Sequence, residues 1–334
     1  MKQISQYHQL LSPEKNGSIR RGFGRAITEL VKNNKQIVVT CADLTSSLQL
    51  TEVAEKYPDQ FVQVGVAEQN LMGISAGLAL GKKIPFAASY SVFNPGRNWD
   101  QLRVSVCYSN LNVKIVGGHA GLSTGPDGAT HQALEDIAIT RVLPNLAVVV
   151  PADEEQAYQA TLAAAEYPGP VYLRLTRERT MNLLSHPVFT IGQAHLLADG
   201  DDLTLISCGD TLSETIKASQ MLEMEGIRST IVNLHTIKPL DSQKIVDQIK
   251  RTNAVVTVEN HQKHGGVGSA IAEVIAENIG KQLFKPVAHT FVAVDDTFSE
   301  SGNAQELFIK YKIDKMSIIE AAKQTLNKKQ KLNS

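Results

Sequence analysis

The chain has 334 residues, 43% of them hydrophobic, with a formal net charge of -1. That length and apolar content suit two α/β domains with ordinary cores and exclude a disordered or fibrous chain. A near-zero charge, with lysines scattered apart from one KKQK run near the end, provides no basic field for a polyphosphate backbone, so no nucleic acid partner is expected. The opening MKQISQYHQLLSPEK lacks the apolar run of a secretory signal, and no uncharged stretch reaches the roughly 18 to 20 apolar residues that cross a bilayer. A cytoplasmic location without membrane contact is therefore expected. Cys41, Cys107 and Cys208 stand apart with no metal-ligand spacing, which suggests neither a disulfide framework nor a metal site, but small buried apolar groups.

The first fifteen or so residues are polar and expected to be loosely held. Short apolar, β-branched runs then recur at 36–40, 61–66, 112–116, 146–150 and 170–175, separated by longer stretches; 68–80 and 98–109 are long enough to be crossover helices. This alternation predicts parallel α/β units. Leu134, Ile137 and Ala138 have the spacing of one helix face. A first domain is placed at 16–190. After the polar turn at 199–202, strand-like runs at 202–207, 229–234, 254–259 and 289–294 and a helical stretch at 211–225 define a second domain, placed at 195–328. The tail QTLNKKQKLNS is expected to be loose.

In VGVAEQNLMGISAGLAL an apolar strand runs directly into a helix and leaves Glu68 at the junction. A carboxylate there has two readings. It either complements the helix dipole from the first turn, or does chemistry at the strand end. Tyr90 and Phe93, three apart in YSVF on or just after a strand, read on pattern alone more readily as core aromatics than as functional ones. His119, Asp127 and His131 lie in or just after a stretch with five glycines, Gly117, Gly118, Gly121, Gly125 and Gly128, where backbone can pack closely around a ligand.

The order of these stretches is more specific than any one of them. PFAASYSVFNPGRNWDQLR, GGHAGLSTGPDGATHQALEDIA, LPNLAVVVPAD and GPVYLRLTR together resemble the pyrimidine-binding domain of transketolases. TIKPLD, VENHQKHGGVGSAIAEV and DTFSESG resemble the transketolase C-terminal domain, so the resemblance extends over roughly residues 18 to 320. It implies an α/β fold in which a thiamine-diphosphate-binding pyrimidine domain precedes a C-terminal α/β domain.

By that resemblance Glu68 would hydrogen-bond N1′ of the cofactor's aminopyrimidine and favour its 4′-imino tautomer, and Tyr90 and Phe93 would cage the ring. His119 and His131 would contact sugar oxygens near the reacting carbon, and Asp127 the neighbouring hydroxyl, stabilising alkoxide charge and moving protons. Arg20 in SIRRGF, Ser47 in ADLTSS and Arg177 in LTRER match substrate phosphate-binding positions, and Asp43 an acidic position near the cofactor. Guanidinium forks suit phosphate or an isosteric anion. SVFNPGRN departs from the family's usual spacing between the aromatic pair and an arginine, so Arg97 is given no role.

The family's Mg²⁺-binding GDG motif, followed by Asn, is not found, so the resemblance implies that a partner chain holds Mg²⁺ and the diphosphate, in an α₂β₂ assembly with thiamine diphosphate shared between chains. The implied reaction moves a two-carbon glycolaldehyde unit from a ketose phosphate to an aldose phosphate. Alternatives are the β-subunit of a 2-oxo acid dehydrogenase first component, a deoxyxylulose-phosphate synthase fragment, and an interaction subunit without catalysis. DGATHQALEDIA and the arginines argue against the first, and the presence of Glu68 and the His/Asp set against the last.

Overall fold

The structure, a computed structural model, describes residues 10–12 and 17–333. The expectation of a loose start therefore falls mostly outside the described residues. Ser18 opens the first helix by accepting from the backbone N–H of Arg21. The first domain runs β1 (Gly17–Ser18), α1 (Ile19–Asn33), β2 (Ile37–Cys41), α2 (Thr51–Lys56), β3 (Phe61–Gln63), α3 (Glu68–Leu80) and β4 (Ile84–Tyr90). It continues through α4 (Trp99–Gln101), which passes into a π-helical turn at Leu102–Tyr108, then β5 (Lys114–Gly118), α5 (Asp136–Arg141), β6 (Ala147–Val149), α6 (Glu154–Glu166), β7 (Val171–Arg174) and β8 (Arg179–Thr180). The second comprises β9 (His195–Ala198), β10 (Leu203–Ser207), α7 (Leu212–Met224), β11 (Ser229–Asn233), β12 (Thr236–Lys238), α8 (Ser242–Thr252), β13 (Ala254–Gln262), α9 (Val267–Asn278), β14 (Ala288–Val294), α10 (Ala304–Lys310) and α11 (Lys315–Asn333).

One sheet has the order β12-β6-β7-β5-β4-β2-β3, parallel throughout except that β12 pairs antiparallel with β6. Strands buried on both faces read as unbroken apolar runs, as IVVTC of β2 does. Ile19, Phe23, Ile27 and Val31 give α1 a buried stripe at four-residue steps. The helix lies so close to α6 that a Cβ on Gly22 would sit 2.0 Å from the Glu154 carbonyl oxygen. The second sheet is ordered β14-β13-β10-β11-β9, with β9 antiparallel.

The two domains share a core. Ile137, Val148 and Tyr172 of the first pack in one apolar cluster with Val232, Leu234 and Ile271 of the second, and β12 joins the first domain's sheet although it belongs to the second's sequence. No described helix is long and apolar enough to cross a membrane. The three cysteines are buried and free, and burial pushes the Cys107 thiol up to about 12.

Four details differ from the sequence reading. The run at 61–66 is a strand only as far as Gln63, because Gly65 takes a φ of 70°. Leu134 lies ahead of α5 and packs with Val256 and Val258, whereas Ile137 enters the other cluster, so the proposed shared face does not form. The stretch 98–109 is mostly π-helical. The tail is not loose as far as Asn333: α11 continues through it, with Thr325 buried and hydrogen-bonded to Thr290 and Lys329 donating to the Asp202 carbonyl.

Candidate active site at the C-terminal edge of the parallel sheet

Parallel strands deliver all their C-terminal ends to one edge, and in open α/β sheets ligands bind there, where successive connections leave in opposite directions. Here β3 and β4 flank β2 on opposite sides. Beyond β2 come Asp43 and Ser47; beyond β3, Glu68; at the end of β4, Tyr90, then Phe93; beyond β5, His119; beyond β7, Arg177. Arg20 joins them from the first turn of α1.

Glu68 is 2% exposed in the first turn of α3. Its Oε1 accepts from Ser89 Oγ at 3.2 Å and its Oε2 from Arg97 Nη1 at 2.8 Å. The loop carrying Phe93 and Arg97 is pinned by two asparagines. Asn94 Nδ2 donates to the carbonyls of Ala87 and Val116, and Asn98 Nδ2 to the Glu68 carbonyl and Asn94 Oδ1. Phe93 lies with the Arg97 guanidinium 4.5 Å from its ring centre.

The aromatic pair meets the histidine pair. Tyr90 lies against His119 with ring centroids 3.9 Å apart, and Phe93 meets His131 edge-on at 5.4 Å. His119, 3% exposed, takes a φ of 55°, a left-handed conformation uncommon outside glycine and worth attention at a functional site. Burial, and then the neighbouring Arg20, Arg177 and His131, lower its pKa to about 3, which keeps the imidazole neutral at physiological pH. His131 Nδ1 is 2.8 Å from the Thr130 hydroxyl.

The arginines form a second group. Arg20 donates through Nη1 to the Ser47 carbonyl (2.7 Å) and through Nη2 to the Arg177 carbonyl (3.1 Å). Arg177 donates to the Thr124 carbonyl at 2.6 Å and lies 3.6 Å from the Asp127 carboxylate. Ser47 thus meets Arg20 through its backbone. Asp43 stands exposed on the same rim, tied by its backbone N–H to Gln63 Oε1 at 2.7 Å, and is not drawn into either group.

The glycine-rich segment is braced from the second domain. Asn260 Oδ1 accepts from Leu122 N–H, and a Cβ on Gly121 would lie 2.5 Å from that asparagine. Gln132 Nε2 donates to the carbonyls of Gly125 and Glu300, and a Cβ on Gly128 would meet Ser301 Oγ at 2.5 Å. The VENH and SESG strings therefore hold the loop that carries His119 and His131. Ser89, Asn94, Asn98 and Gln132 were missed by sequence reasoning, and Arg97 was noted there but given no role; the signal that could have found them was the four-residue spacing of the two asparagines around Arg97.

Two buried nitrogens, His119 Nδ1 and Arg20 Nε, have no hydrogen-bond partner among the described residues. Beside the buried carboxylate and the aromatic rings they make a setting that suits an aminopyrimidine and an anionic, hydroxylated substrate. No group of three or more His, Cys, Asp or Glu side chains among the described residues is placed to hold a metal ion.

The family model for the transketolase pyrimidine-binding domain matches residues 15–182, and that for the transketolase C-terminal domain matches 192–318. The chain belongs to the transketolase family. Among its relatives, a putative transketolase C-terminal section from Methanocaldococcus jannaschii is 42% identical over 93% of this chain and 96% of that protein. One subunit of an apulose-4-phosphate transketolase from Phocaeicola vulgatus is 35% identical over 92% of this chain and 97% of that protein. A solved structure described as a split gene transketolase, inactive beta4 tetramer, superposes with a TM-score of 0.85 at 40% identity, covering 93% of this chain and 99% of that one. Members of the transketolase family use thiamine diphosphate, and the edge described above belongs to the pyrimidine-binding domain of such a fold.

Proposed function

We propose that this chain is the pyrimidine-binding subunit of a split transketolase, which moves a two-carbon ketol unit from a ketose phosphate to an aldose phosphate once a partner chain supplies the Mg²⁺ and diphosphate site. The observation that carries the reading is the buried Glu68 carboxylate, 2% exposed at the head of α3, which shares Arg97 with Phe93 and accepts from Ser89, the residue before Tyr90 on β4. Two relatives of nearly this length, one described as a transketolase C-terminal section and the other as a single subunit of a transketolase, support the split arrangement.

Thiamine diphosphate, when bound, supplies the electron sink for carbon–carbon cleavage and transfer. The chain's own residues bind, orient and move protons. Glu68 would hold the aminopyrimidine through N1′, and Tyr90 and Phe93 would orient it and exclude water. His119, neutral because its pKa is about 3, offers a hydrogen bond to a substrate oxygen without carrying charge into the site. His131 and Asp127 contact the adjacent hydroxyls. Arg20 and Arg177 hold the distal anion with the Ser47 segment, and Asp43 lines the cofactor side of the rim. A carboxylate that already pairs with a guanidinium, as Asp127 does with Arg177, must share that cation with the substrate.

Replacing Glu68 with alanine in the complex of both chains tests the assignment. Exchange of the cofactor's C2 proton for deuterium should nearly cease while cofactor binding suffers much less. Exchange at the wild-type rate would reduce Glu68 to a helix-end residue.

A further inference from the structure

Each oxygen of Glu68 already accepts one hydrogen bond. Ser89, which holds Oε1, is fully buried on β4 and cannot leave without disturbing the strand. Arg97, which holds Oε2, is 48% exposed on a long side chain. Its guanidinium is planar, carries only donors, and also lies 4.5 Å from the centre of Phe93. One flat cationic group thus makes both contacts that an aminopyrimidine would need: a hydrogen bond to Glu68 and the face of an aromatic ring.

We infer that Arg97 is an internal competitor for the aminopyrimidine, and that the cofactor must displace it from Glu68 Oε2 to bind. This rests on the proposed role of Glu68 and Phe93 as the pyrimidine site. The two occupants would need the same space: the flat guanidinium lies over the Phe93 ring, 4.5 Å from its centre, and 2.8 Å from Oε2, where an aminopyrimidine held between Phe93 and Glu68 would lie. The arginine, which has donors only, cannot accept from the ring's amino group in a shared arrangement. Ser89 can remain, because it contacts the other oxygen. Asn94 and Asn98 hold the backbone on either side of Arg97, so release requires rotation of one exposed side chain rather than movement of the loop. Arg97 is therefore a positioning residue that lowers the affinity of the free chain for the cofactor's ring and keeps Glu68 paired until the ring arrives.

The test uses the purified full-length chain and, as probe, 4-amino-5-hydroxymethyl-2-methylpyrimidine, the pyrimidine half of the cofactor, with affinity read by ligand-observed NMR. Arg97→Met keeps the length and apolar stem but removes the donors and charge, and Arg97→Gln keeps a planar group without charge. Both should bind the pyrimidine about three- to tenfold more tightly than the wild type, given the modest worth of a half-exposed ion pair and a cation–π contact. Glu68→Ala combined with Arg97→Met should abolish the gain. Binding that is unchanged or weaker in both Arg97 variants, yet is lost in Glu68→Ala, would overturn the competitor role and leave the site assignment standing. Equal binding by the wild type and Glu68→Ala would remove the site assignment and the inference together.

Discussion

Arg174 on β7 and Asp136 at the head of α5 form a two-point ion pair, Nε to Oδ2 at 2.7 Å and Nη2 to Oδ1 at 3.1 Å, with both side chains 1% exposed. Tyr172 donates to the same carboxylate, and Arg174 Nη2 continues to the Asn260 carbonyl in the second domain. The pair thus links the end of the glycine-rich segment, the central sheet and the second domain. Burial alone would raise the Asp136 pKa, but Arg174 outweighs it and holds the carboxyl below its ordinary value.

Removing one member leaves the other buried and unpaired, which costs about 3 to 5 kcal/mol. Asp136→Asn should therefore lower the melting temperature by many degrees at pH 7. A folded-state pKa below the unfolded one gives stability that is complete above the ordinary carboxylate range and lost as pH falls through the folded value. The gap between variant and wild type, followed by thermal melts, should narrow in acid; a gap independent of pH would contradict the ion-pair account.

Buried histidines should make the fold acid-sensitive well above the carboxylate range. Burial lowers the pKa of His119 and His235 to about 3 and that of His261 to about 4, against an ordinary 6.5. Between those values the unfolded chain binds protons that the folded chain does not, so stability falls as pH drops below about 6.5, by at most about 1.4 kcal/mol per pH unit per histidine. Denaturant midpoints should decline from pH 7.5 to 5, and His119→Asn should make that decline shallower. A flat midpoint would show that these rings are protonated or exposed in the folded protein.

Arg177→Ala should weaken use of phosphorylated acceptors while cofactor activation stays intact. A hydrogen bond to a charged group is worth about 1.5 to 3 kcal/mol, hence roughly a ten- to hundredfold drop in kcat/KM. An unphosphorylated aldose of the same stereochemistry should be poor with both enzymes and lose little more in the variant. Equal losses for both sugars would make Arg177 a general support of the loop, through its bond to the Thr124 carbonyl.

Much of the fold was legible because strands buried on both faces leave short, mostly apolar, β-branched runs, as in β2 and β6. The strand at Ile84–Tyr90 was not singled out: IPFAASY is rich in alanine, with a proline, and its strand state comes from pairing with β2 and β5 rather than from propensity. β12 has three residues and joins a sheet belonging to the other domain, which no local pattern reveals. At the site, Glu68 was visible at a strand-to-helix junction, whereas its pairing with Arg97 depends on a loop path set by two buried asparagines. Asp136 and Arg174 drew no notice, since a charged residue inside an apolar string looks like a surface residue until its partner, 38 positions away, is placed beside it.

The central claim is that this chain holds only the pyrimidine side of the site. Calorimetric titration of thiamine diphosphate with Mg²⁺, into the purified chain alone and into the chain mixed with a partner bearing the Mg²⁺ and diphosphate domain, tests it most directly. The chain alone should show no tight binding and no two-carbon transfer, and the mixture should recover both. Micromolar or tighter affinity for the chain alone, or ketol transfer without a partner, would contradict the claim.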